Sequence, residues 1–548
     1  MPTITIDGRP CDFEPGQNIL QVALDNEIEI PHYCYHPSLS IPANCRICLA
    51  EVWAPNPRKD GKLEAIPKLL PTCHTGAADG QVVYTASPKA IANQKAVMEY
   101  LLINHPVDCP VCDQAGECHL QDYSYQYGRG QARFQEQKIK QPKKDVGPHV
   151  LLYSDRCIMC TRCVRFTREI TGTNELIVEG RGAMEQIDVF PGMALDNELS
   201  GNVIDLCPVG ALLDKDFLFQ QRVWLLKKTT SIDGLTCSGD NISIEHNGGT
   251  VYRVKPRANL DVNRYWITDE VRYGWKFVHD ETRLSMPAVR GEDPFLPTEA
   301  PLAYQAAYIA IDERLSHNRK FAILVSPMLS CEDAYLLARW TQQLEGEVVL
   351  GVGPVPIAGE DKTFQDGFTM YAEKAPNARG VRRVLAAFSK SVLEYDDFLR
   401  MLSSDDAVQS VVLTGNYPSD WVTTELADAI GSRRFLVVMD TLPNRLIERA
   451  DVVLPAATWM EKAGTFENVD GRLQAFDRAI DPIDYTKTEA QMALDLMAEH
   501  AGNSPKAFNP ADTRRTMAES EGLGGFVTDV HVVAAARHVE SDMAIVEI

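Results

Sequence analysis

The segment Ser154–Phe166 reads SDRCIMCTRCVRF and places Cys157, Cys160 and Cys163 at intervals of three residues. In the bacterial iron-sulfur run C-x2-C-x2-C-x3-C-P, three such cysteines serve one cluster, and the fourth ligates the other cluster of a two-cluster protein. Here the fourth position is Thr167. The run therefore predicts a cluster-binding segment whose last ligand lies elsewhere in the chain.

The next cysteine along the chain supplies that ligand. Cys207 is followed by Pro208 and reproduces the C-P end of a second run. The first three positions of that second run hold Asn197, Ser200 and Val203, so its cluster is predicted to be absent. One [4Fe-4S] site remains, and its predicted ligands are Cys157, Cys160, Cys163 and Cys207. A four-cysteine zinc site is the alternative.

Arginines flank this run, and two interpretations of them stay open. They are Arg156, Arg162, Arg165 and Arg168. They could form a solvated face, or they could offset the negative charge of the cluster and raise its potential.

The N-terminal segment predicts a small sheet fold with a second metal group. The run TITIDG alternates and ends in an Asp-Gly turn, and GQNILQVALDNEI has helical periodicity. The cysteines that follow are Cys34, Cys45, Cys48 and Cys73. Their order resembles the plant-type [2Fe-2S] pattern, with a longer first gap and a loop inserted at residues 54–70. A zinc ribbon is the alternative, and Cys11 is expected to be a buried structural thiol.

A third group lies between these two. An amphipathic helix is predicted before His105-Pro106, and only Cys109, Cys112 and Cys118 follow it. Imidazole can replace thiolate at iron, so a histidine is expected as the fourth ligand. His105 is favoured because it lies on a turn just ahead of Cys109, whereas His119 directly follows Cys118 and would have to fold onto the same core. A zinc site with three cysteines and one histidine is the alternative.

Composition and charge argue against several classes of function. The chain has 548 residues and a net charge of -22, which argues against nucleic acid or an anionic membrane as partner. Its apolar runs are far shorter than the roughly 20 residues needed to span a bilayer, so no membrane insertion is expected. The N-terminus lacks a targeting pattern, so the chain is expected to stay where it is made. Eleven of the fourteen cysteines lie between Cys34 and Cys207, which favours metal ligation over disulfides.

The second half predicts a different architecture. Apolar strand runs such as FAILVSP, SVVLTGN and RFLVVMDT alternate with helical segments, which is an α/β pattern with mainly parallel strands. No G-x-G-x-x-G follows a strand, so no flavin or dinucleotide site is expected. An iron hydrogenase would need another set of cysteines beyond residue 220, where only Cys237 and Cys331 occur.

The order of the three motifs resembles the large iron-sulfur subunit of the peripheral arm of respiratory complex I. Electron-input modules of some NAD-linked hydrogenases and formate dehydrogenases share this order. The middle motif, H-x3-C-x2-C-x5-C, is the most specific. The resemblance implies a plant-type ferredoxin-like (β-grasp) domain at 1–80, a His/Cys [4Fe-4S] domain at 81–148 and a bacterial-ferredoxin-like domain at 149–220. It also implies one [2Fe-2S] and two [4Fe-4S] clusters, with His105 as an iron ligand.

Residues 221–548 resemble a molybdopterin oxidoreductase domain. The motif E-x-x-G-T-x-x-N-x-x-G-R is present as Glu461, Gly464, Thr465, Asn468, Gly471 and Arg472. The complex I subunit carries this domain without its cofactor, so a scaffold role is implied. The further cubane site that usually opens the domain keeps only Cys237, because its other positions hold Thr230, Asp233 and Thr268. A fourth cluster is therefore not expected.

These observations lead to a functional hypothesis. The chain is expected to be a one-electron conductor that passes electrons from an NADH/FMN-binding subunit towards quinone, together with other iron-sulfur subunits and without FMN or molybdopterin of its own. The resemblance places it on the cytoplasmic side of the bacterial inner membrane. Three alternatives stay open: the equivalent subunit of a soluble hydrogenase or formate dehydrogenase, a molybdenum enzyme using Cys331, and a zinc-stabilised interaction protein.

Overall fold

The computed structural model describes residues 1–290, 300–431 and 434–532. The chain divides into two compact units: unit 1 comprises Met1–Leu226 with Phe364–Gly367, and unit 2 comprises Lys227–Thr363 and the chain from Phe368 onward. Within the described ranges, no helix has both the length and the apolar character needed to cross a bilayer.

Unit 1 is built from short strands and helices. Its strands are β1 (Thr3–Ile6), β2 (Arg9–Asp12), β3 (Leu49–Asn56), β4 (Lys62–Ala65), β5 (Leu70–Pro71), β6 (Val82–Tyr84), β7 (Lys143–Asp145), β8 (Val150–Tyr153), β9 (Leu176–Glu179), β10 (Gln186–Val189) and β11 (Leu212–Asp214). Its helices are α1 (Ile19–Asp25), α2 (Pro88–Leu102), α3 (His119–Tyr127), α4 (Arg162–Glu169) and α5 (Asn202–Leu206).

The N-terminal sheet has the strand order β2-β1-β6-β3-β4. The predicted hairpin is present: Asp7 and Gly8 both have positive φ, as a two-residue turn of this kind requires. β1 also runs parallel to β6, and the residues that α1 buries belong to the same core cluster as those of β1. Cys11 is buried in that core, as expected for a structural thiol, and so are Cys48 and Cys73.

In the rest of unit 1, three cysteines lie at the ends of α-helices and the others lie in the segments between them. α3 begins directly after Cys118, α4 contains Cys163 in its first turn, and α5 ends directly before Cys207. β8 lies between β7 and β11 in a three-stranded antiparallel sheet beside these helices. Regular elements thus hold the ends of every cysteine-bearing loop in this part of the chain.

Unit 2 contains longer strands and helices. Its strands are β12 (Lys227–Ile232), β13 (Asn241–Asn247), β14 (Thr250–Pro256), β15 (Ala288–Val289), β16 (Lys320–Val325), β17 (Glu347–Val352), β18 (Lys362–Thr363), β19 (Thr369–Met370), β20 (Ser410–Thr414), β21 (Phe435–Asp440), β22 (Val452–Pro455), β23 (Gly464–Glu467), β24 (Leu473–Phe476) and β25 (His531–Val532). Its helices are α6 (Asp269–Tyr273), α7 (Ala300–Ser316), α8 (Cys331–Thr341), α9 (Ala378–Ala386), α10 (Tyr395–Ser404), α11 (Thr424–Ile430), α12 (Glu489–His500), α13 (Pro510–Met517) and α14 (Gly525–Thr528).

The main sheet of unit 2 has the order β15-β22-β21-β20-β16-β17. All its pairs are parallel except the edge pair of β15 with β22. The apolar runs predicted as parallel strands therefore lie side by side, and their continuous burial explains why they are apolar rather than alternating.

Asp440, at the carboxyl end of β21, organises that edge of the sheet. Its carboxylate accepts hydrogen bonds from the backbone N–H groups of Asn416 and Thr441, from the Trp421 indole at 2.8 Å and from the Asn444 amide at 2.9 Å. A Cβ at Gly415 would lie 2.1 Å from this carboxyl group, so only glycine fits there. Side chains of the protein thus fill the edge where ligands of open α/β sheets bind.

The Glu-Gly-Thr-Asn-Gly-Arg motif also makes internal contacts. Glu461 forms a buried ion pair with Arg283, whose two terminal nitrogens lie 2.8 and 2.7 Å from its oxygens. Thr465 donates to Glu332, and the Asn468 amide donates to the backbone carbonyl of Ser238 at 3.0 Å. The motif therefore ties separate segments of unit 2 together.

The first prediction concerns this buried ion pair. Arg283→Met would leave the Glu461 carboxylate buried without its cation. Because breaking a buried pair from one side typically costs about 3–5 kcal/mol, we expect the free energy of unfolding of unit 2 to fall by about that amount. Urea unfolding followed by tryptophan fluorescence measures the change.

Arg400→Met is the matched control. The Arg400–Asp397 pair is exposed, with 75% and 54% of the side chains accessible to solvent. Since water screens exposed pairs, its loss should not shift the transition measurably. Equal shifts in the two variants would contradict the role assigned to Arg283.

Candidate iron-sulfur sites

The predicted ligands fall into three sets within unit 1. Site 1 consists of Cys34, Cys45, Cys48 and Cys73, site 2 of His105, Cys109, Cys112 and Cys118, and site 3 of Cys157, Cys160, Cys163 and Cys207. The structure brings the members of each set together.

The four thiols of site 1 lie in two close pairs. The Sγ atoms of Cys34 and Cys45 are 3.5 Å apart, and those of Cys48 and Cys73 are 3.6 Å apart. Cys34, Cys48 and Cys73 are buried, and Cys45 is partly exposed. The loop reaches this arrangement through left-handed conformations at Ala43 and Arg46, on either side of Cys45. Two pairs of sulfurs match a two-iron core in which each iron takes two protein ligands.

Hydrogen bonding between these thiols changes their acidity. The hydrogen bond with Cys45 lowers the pKa of the Cys34 thiol, and the one with Cys73 lowers that of the Cys48 thiol. One sulfur in each pair is therefore stabilised as the thiolate, which is the form that binds a metal.

The ligands of site 2 line one cavity with about 280 Å³ of atom-free space. The Nδ1 atom of His105 is buried there without a hydrogen-bond partner among the described residues. Burial, assisted by the charges of Arg156 and Lys138, lowers the pKa of His105 to about 4. At neutral pH the imidazole is therefore neutral and able to bind a metal. His119 does not line this cavity, and its ring lies 5.9 Å from that of Tyr123.

Two further residues shape site 2, and sequence reasoning did not find their roles. Arg156 is buried, forms an ion pair with Asp108 at 2.9 Å and lines the cavity. A Cβ at Gly210 would lie 2.3 Å from the Sγ of Cys112, so glycine alone leaves room for that ligand. The glycine in the Cys-Pro-Val-Gly segment was the available signal.

The four cysteines of site 3 line a cavity with about 350 Å³ of atom-free space, whose other walls are largely apolar. Met159 and Thr161, which alternate with the ligands, have left-handed conformations that turn the loop around this space. The Met159 N–H donates to the Sγ of Cys157 at 3.3 Å. Burial raises the pKa of the Cys160 thiol to about 11, while the charges of Arg162 and Arg165 oppose that rise.

The flanking arginines do not form a common solvated face. Arg156, Arg162 and Arg165 are buried, whereas 59% of the Arg168 side chain is exposed. The solvated-face interpretation is therefore wrong for the first three.

The positions of the missing second run lie inside unit 1. Thr167, Asn197, Ser200 and Val203 are all buried. The Asn197 amide donates to Glu175 at 2.9 Å. These positions thus belong to the protein interior.

In unit 2, the residues around Cys237 form a polar network. The Asp233 carboxylate accepts hydrogen bonds from the backbone N–H groups of Leu235 and Thr236, and the Thr268 hydroxyl caps α6. Cys331 is part of a hydrophobic core, with its Sγ 3.4 Å from the Asn377 amide oxygen. Its packing contacts account for its position at the start of α8.

Family models match most of the chain in separate pieces. They are a 2Fe-2S iron-sulfur cluster binding domain (1–88), the NADH-ubiquinone oxidoreductase-G iron-sulfur binding region (94–133), the ferredoxin-like domain of NADH-quinone oxidoreductase subunit 3 (147–213), an NADH-ubiquinone oxidoreductase NDSU1/NuoG-like 4Fe-4S domain (226–276) and molybdopterin oxidoreductase (402–499). The predicted fold class is confirmed.

Curated relatives of this chain are named as subunits of NADH-ubiquinone or NADH-quinone oxidoreductase. The chain is 44% identical over 311 residues to the mitochondrial NADH-ubiquinone oxidoreductase 78 kDa subunit of Neurospora crassa, covering 55% of this chain and 40% of that protein. It is 37% identical over 344 residues to a subunit of NADH-quinone oxidoreductase from Rickettsia felis, covering 63% of this chain and 49% of the relative. The chain is a homologue of the large iron-sulfur subunit of complex I. The predicted resemblance is thus confirmed, although the match spans half or less of the length of these relatives.

A solved structure is also similar to this chain. It is that of an NAD+-reducing [NiFe]-hydrogenase in the H2-reduced state, with 27% identity, a TM-score of 0.34, and coverage of 40% of this chain and 91% of that chain.

The second prediction tests the space for Cys112. Gly210→Ala would place a methyl group against its Sγ and displace the ligand. We expect site 2 to lose its cluster, about four irons per chain, while site 1 keeps its own. Iron and sulfide analysis of anaerobically purified protein, with electron paramagnetic resonance (EPR), measures this.

Gly130→Ala is the control, because a Cβ at Gly130 would meet nothing within 4 Å. This variant should retain its full iron content. Full occupancy and unchanged spectra in Gly210→Ala would contradict the close approach of Gly210 to Cys112.

Proposed function

We propose that this chain is an iron-sulfur electron-conducting subunit of an NADH-quinone oxidoreductase. It passes single electrons from the NADH/FMN module towards quinone through one [2Fe-2S] and two [4Fe-4S] clusters. The observation that carries the proposal is the assembly of three separate four-ligand sets in one compact unit. Such clusters supply one-electron chemistry, and the protein holds and tunes them.

Each ligand set supports a particular cluster type. The two thiol pairs of site 1 suit a [2Fe-2S] core. The four ligands of site 2 and of site 3 each line one cavity, an arrangement that suits a [4Fe-4S] core. The unpartnered Nδ1 of His105 and the space that Gly210 leaves beside Cys112 fit a bound group at site 2. His105 is the proposed fourth ligand there.

Unit 2 is proposed to be a scaffold without molybdopterin and without a fourth cluster. The internal hydrogen bonds of Asp440 at the carboxyl edge of the sheet, and the core position of Cys331, support the first part. The network of Asp233 around Cys237 supports the second, although the family model for residues 226–276 is named for a 4Fe-4S domain.

The proposed partners are the NADH/FMN-binding subunit and other iron-sulfur subunits of the complex I peripheral arm. The proposed location is the cytoplasmic side of the bacterial inner membrane, in a membrane-attached complex. The name of the Rickettsia felis relative, which assigns that protein to NADH-quinone oxidoreductase, supports membership of such a complex.

The third prediction tests the number of clusters and whether a separate flavin subunit is needed for oxidation of NADH. Anaerobically purified chain should contain about ten irons with matching sulfide, and no FMN. Dithionite should reduce its clusters, whereas NADH alone should not, because the electrons must first pass through a flavin subunit. Metal and flavin analysis and absorbance spectra measure these quantities.

Near-stoichiometric zinc without iron would contradict the proposal and indicate a zinc-stabilised interaction protein instead. One molybdenum per chain, or rapid bleaching by NADH alone, would contradict the conductor role. Copurification with the catalytic subunit of a hydrogenase or formate dehydrogenase would contradict the path to quinone.

The fourth prediction concerns His105 as a ligand. A neutral imidazole leaves a cluster less negative than a fourth thiolate does, so it favours reduction. His105→Cys should therefore keep the site 2 cluster but lower its potential, while His105→Ala should make the cluster labile. Redox titration followed by EPR measures both effects.

His119→Ala is the matched control, because His119 does not line the site 2 cavity. It should leave the spectra and midpoint potentials unchanged. If His119→Ala altered the site 2 signal and neither His105 variant did, His119 would be the ligand.

A further inference from the structure

Two buried arginines lie between site 1 and site 3. Arg162 and Arg165 belong to helix α4, which also carries the site 3 ligand Cys163. Only 7% of Arg162 and 3% of Arg165 are exposed. Their long side chains therefore end inside unit 1 rather than in water.

Arg165 bonds to a ligand residue of each site. Its Nη2 atom donates to the backbone carbonyl of Cys34 in site 1 at 2.5 Å and to that of Cys160 in site 3 at 3.3 Å. Its Nη1 atom donates to the carbonyl of Ser40, in the same loop as Cys34. One guanidinium thus connects the ligand loops of two sites.

Arg162 also connects the two sites, through residues that are next to a ligand of each. It donates to the carbonyl of Tyr35, next to Cys34, at 2.5 Å and to that of Leu206, next to Cys207, at 3.3 Å. Arg162 also lines the site 3 cavity, and its Nε is buried without a hydrogen-bond partner among the described residues. One donor is therefore left for a group in that cavity.

Both arginines donate their hydrogen bonds to neutral oxygens. In the described part of the chain, neither has a carboxylate within ion-pair distance, and every acceptor of Arg162 is a neutral carbonyl oxygen. Arg156, beside site 2, differs because it pairs with Asp108. A buried unpaired cation is costly, so a negative group must face it. The thiolate-ligated cores proposed for sites 1 and 3 would be such groups, and the Glu169 carboxylate, beyond ion-pair distance, also acts on the charge of Arg165.

We propose that Arg162 and Arg165 form a cationic bridge that fixes the position of the site 1 cluster relative to the site 3 cluster and raises the potential of both. The inference rests on the proposed function, because it requires clusters at both sites. Arg162 and Arg165 are positioning residues that act through the ligand loops and through their charge. When one electron leaves a reduced cluster and enters the other, no bond breaks and the arginines keep their protons. Fixed positive charge favours the reduced, more negative state of each cluster.

The fifth prediction tests the bridge with the full-length chain. Arg165→Gln should lower the midpoint potentials of the site 1 and site 3 clusters and leave that of site 2 unchanged. Arg165→Lys keeps the charge but cannot reach both loops in the same way, so it should shift the potentials less. Both variants should weaken the magnetic interaction between the two reduced clusters. Anaerobic redox titration with EPR, and pulsed measurement of spin relaxation, provide the readouts.

Arg168→Gln is the matched control on the same helix, because Arg168 is exposed and its charge is paired with Glu169. The midpoint potentials of all clusters in the Arg168→Gln variant should equal those in the unmodified chain. If Arg165→Gln fails to load sites 1 and 3 while Arg165→Lys loads all three, the bridge is supported.

Several outcomes would overturn the inference. In one, Arg165→Gln and Arg168→Gln give equal potentials; in another, only site 3 responds to Arg165→Gln. A third is loss of the site 2 cluster together with the others, because that would indicate general misfolding rather than a bridge. Absence of iron-sulfur clusters from the unmodified chain would instead remove the proposed function itself, so the two failures are distinguishable.

Discussion

Ligands that are distant in the chain must converge on one small volume, and a single short segment meets this constraint for two sites. Cys207, Val209 and Ala211 line the cavity of site 3, while Gly210 lines that of site 2. Hydrogen bonds hold the segment in place, from His119 N–H to the carbonyl of Pro208 at 3.1 Å and from Tyr153 N–H to that of Ala211 at 2.7 Å. The geometry of both sites therefore depends on the same five residues.

Particular buried cations of the two units have different partners. In unit 2, Lys462 lies 2.9 Å from both Asp333 and Glu489, and Arg283 pairs with Glu461, so these buried ions are balanced by the protein itself. In unit 1, Arg165 meets neutral oxygens. Because unpaired buried charge is costly, Arg165 is expected to need a bound anionic group nearby, whereas Lys462 and Arg283 are not.

Much of the local structure follows from short-range sequence patterns. The Asp-Gly turn and the strands of the parallel sheet could be predicted because each depends on residues close in the chain. The grouping of cysteines could be predicted across longer gaps, because Cys207-Pro208 completes a known ligand spacing. The position of His105 on a turn just ahead of Cys109 led the sequence analysis to favour it over His119, and the structure places His105, not His119, in the lining of the site 2 cavity. Its role as a ligand stays a prediction. Distances between loops were not accessible: the pairing of Arg156 with Asp108 joins residues 48 positions apart.

By itself, the sequence determined how the cysteines group, and it predicted these groups as iron ligands, because ligand spacing limits which side chains can reach one cluster. It left the environment of these ligands open. The tertiary structure decided that Arg156, Arg162 and Arg165 are buried, that Gly210 lies against Cys112, and that Asp440 fills the carboxyl edge of the sheet. Burial and close approach arise from packing between segments far apart in the chain, and no local pattern encodes which surfaces will meet.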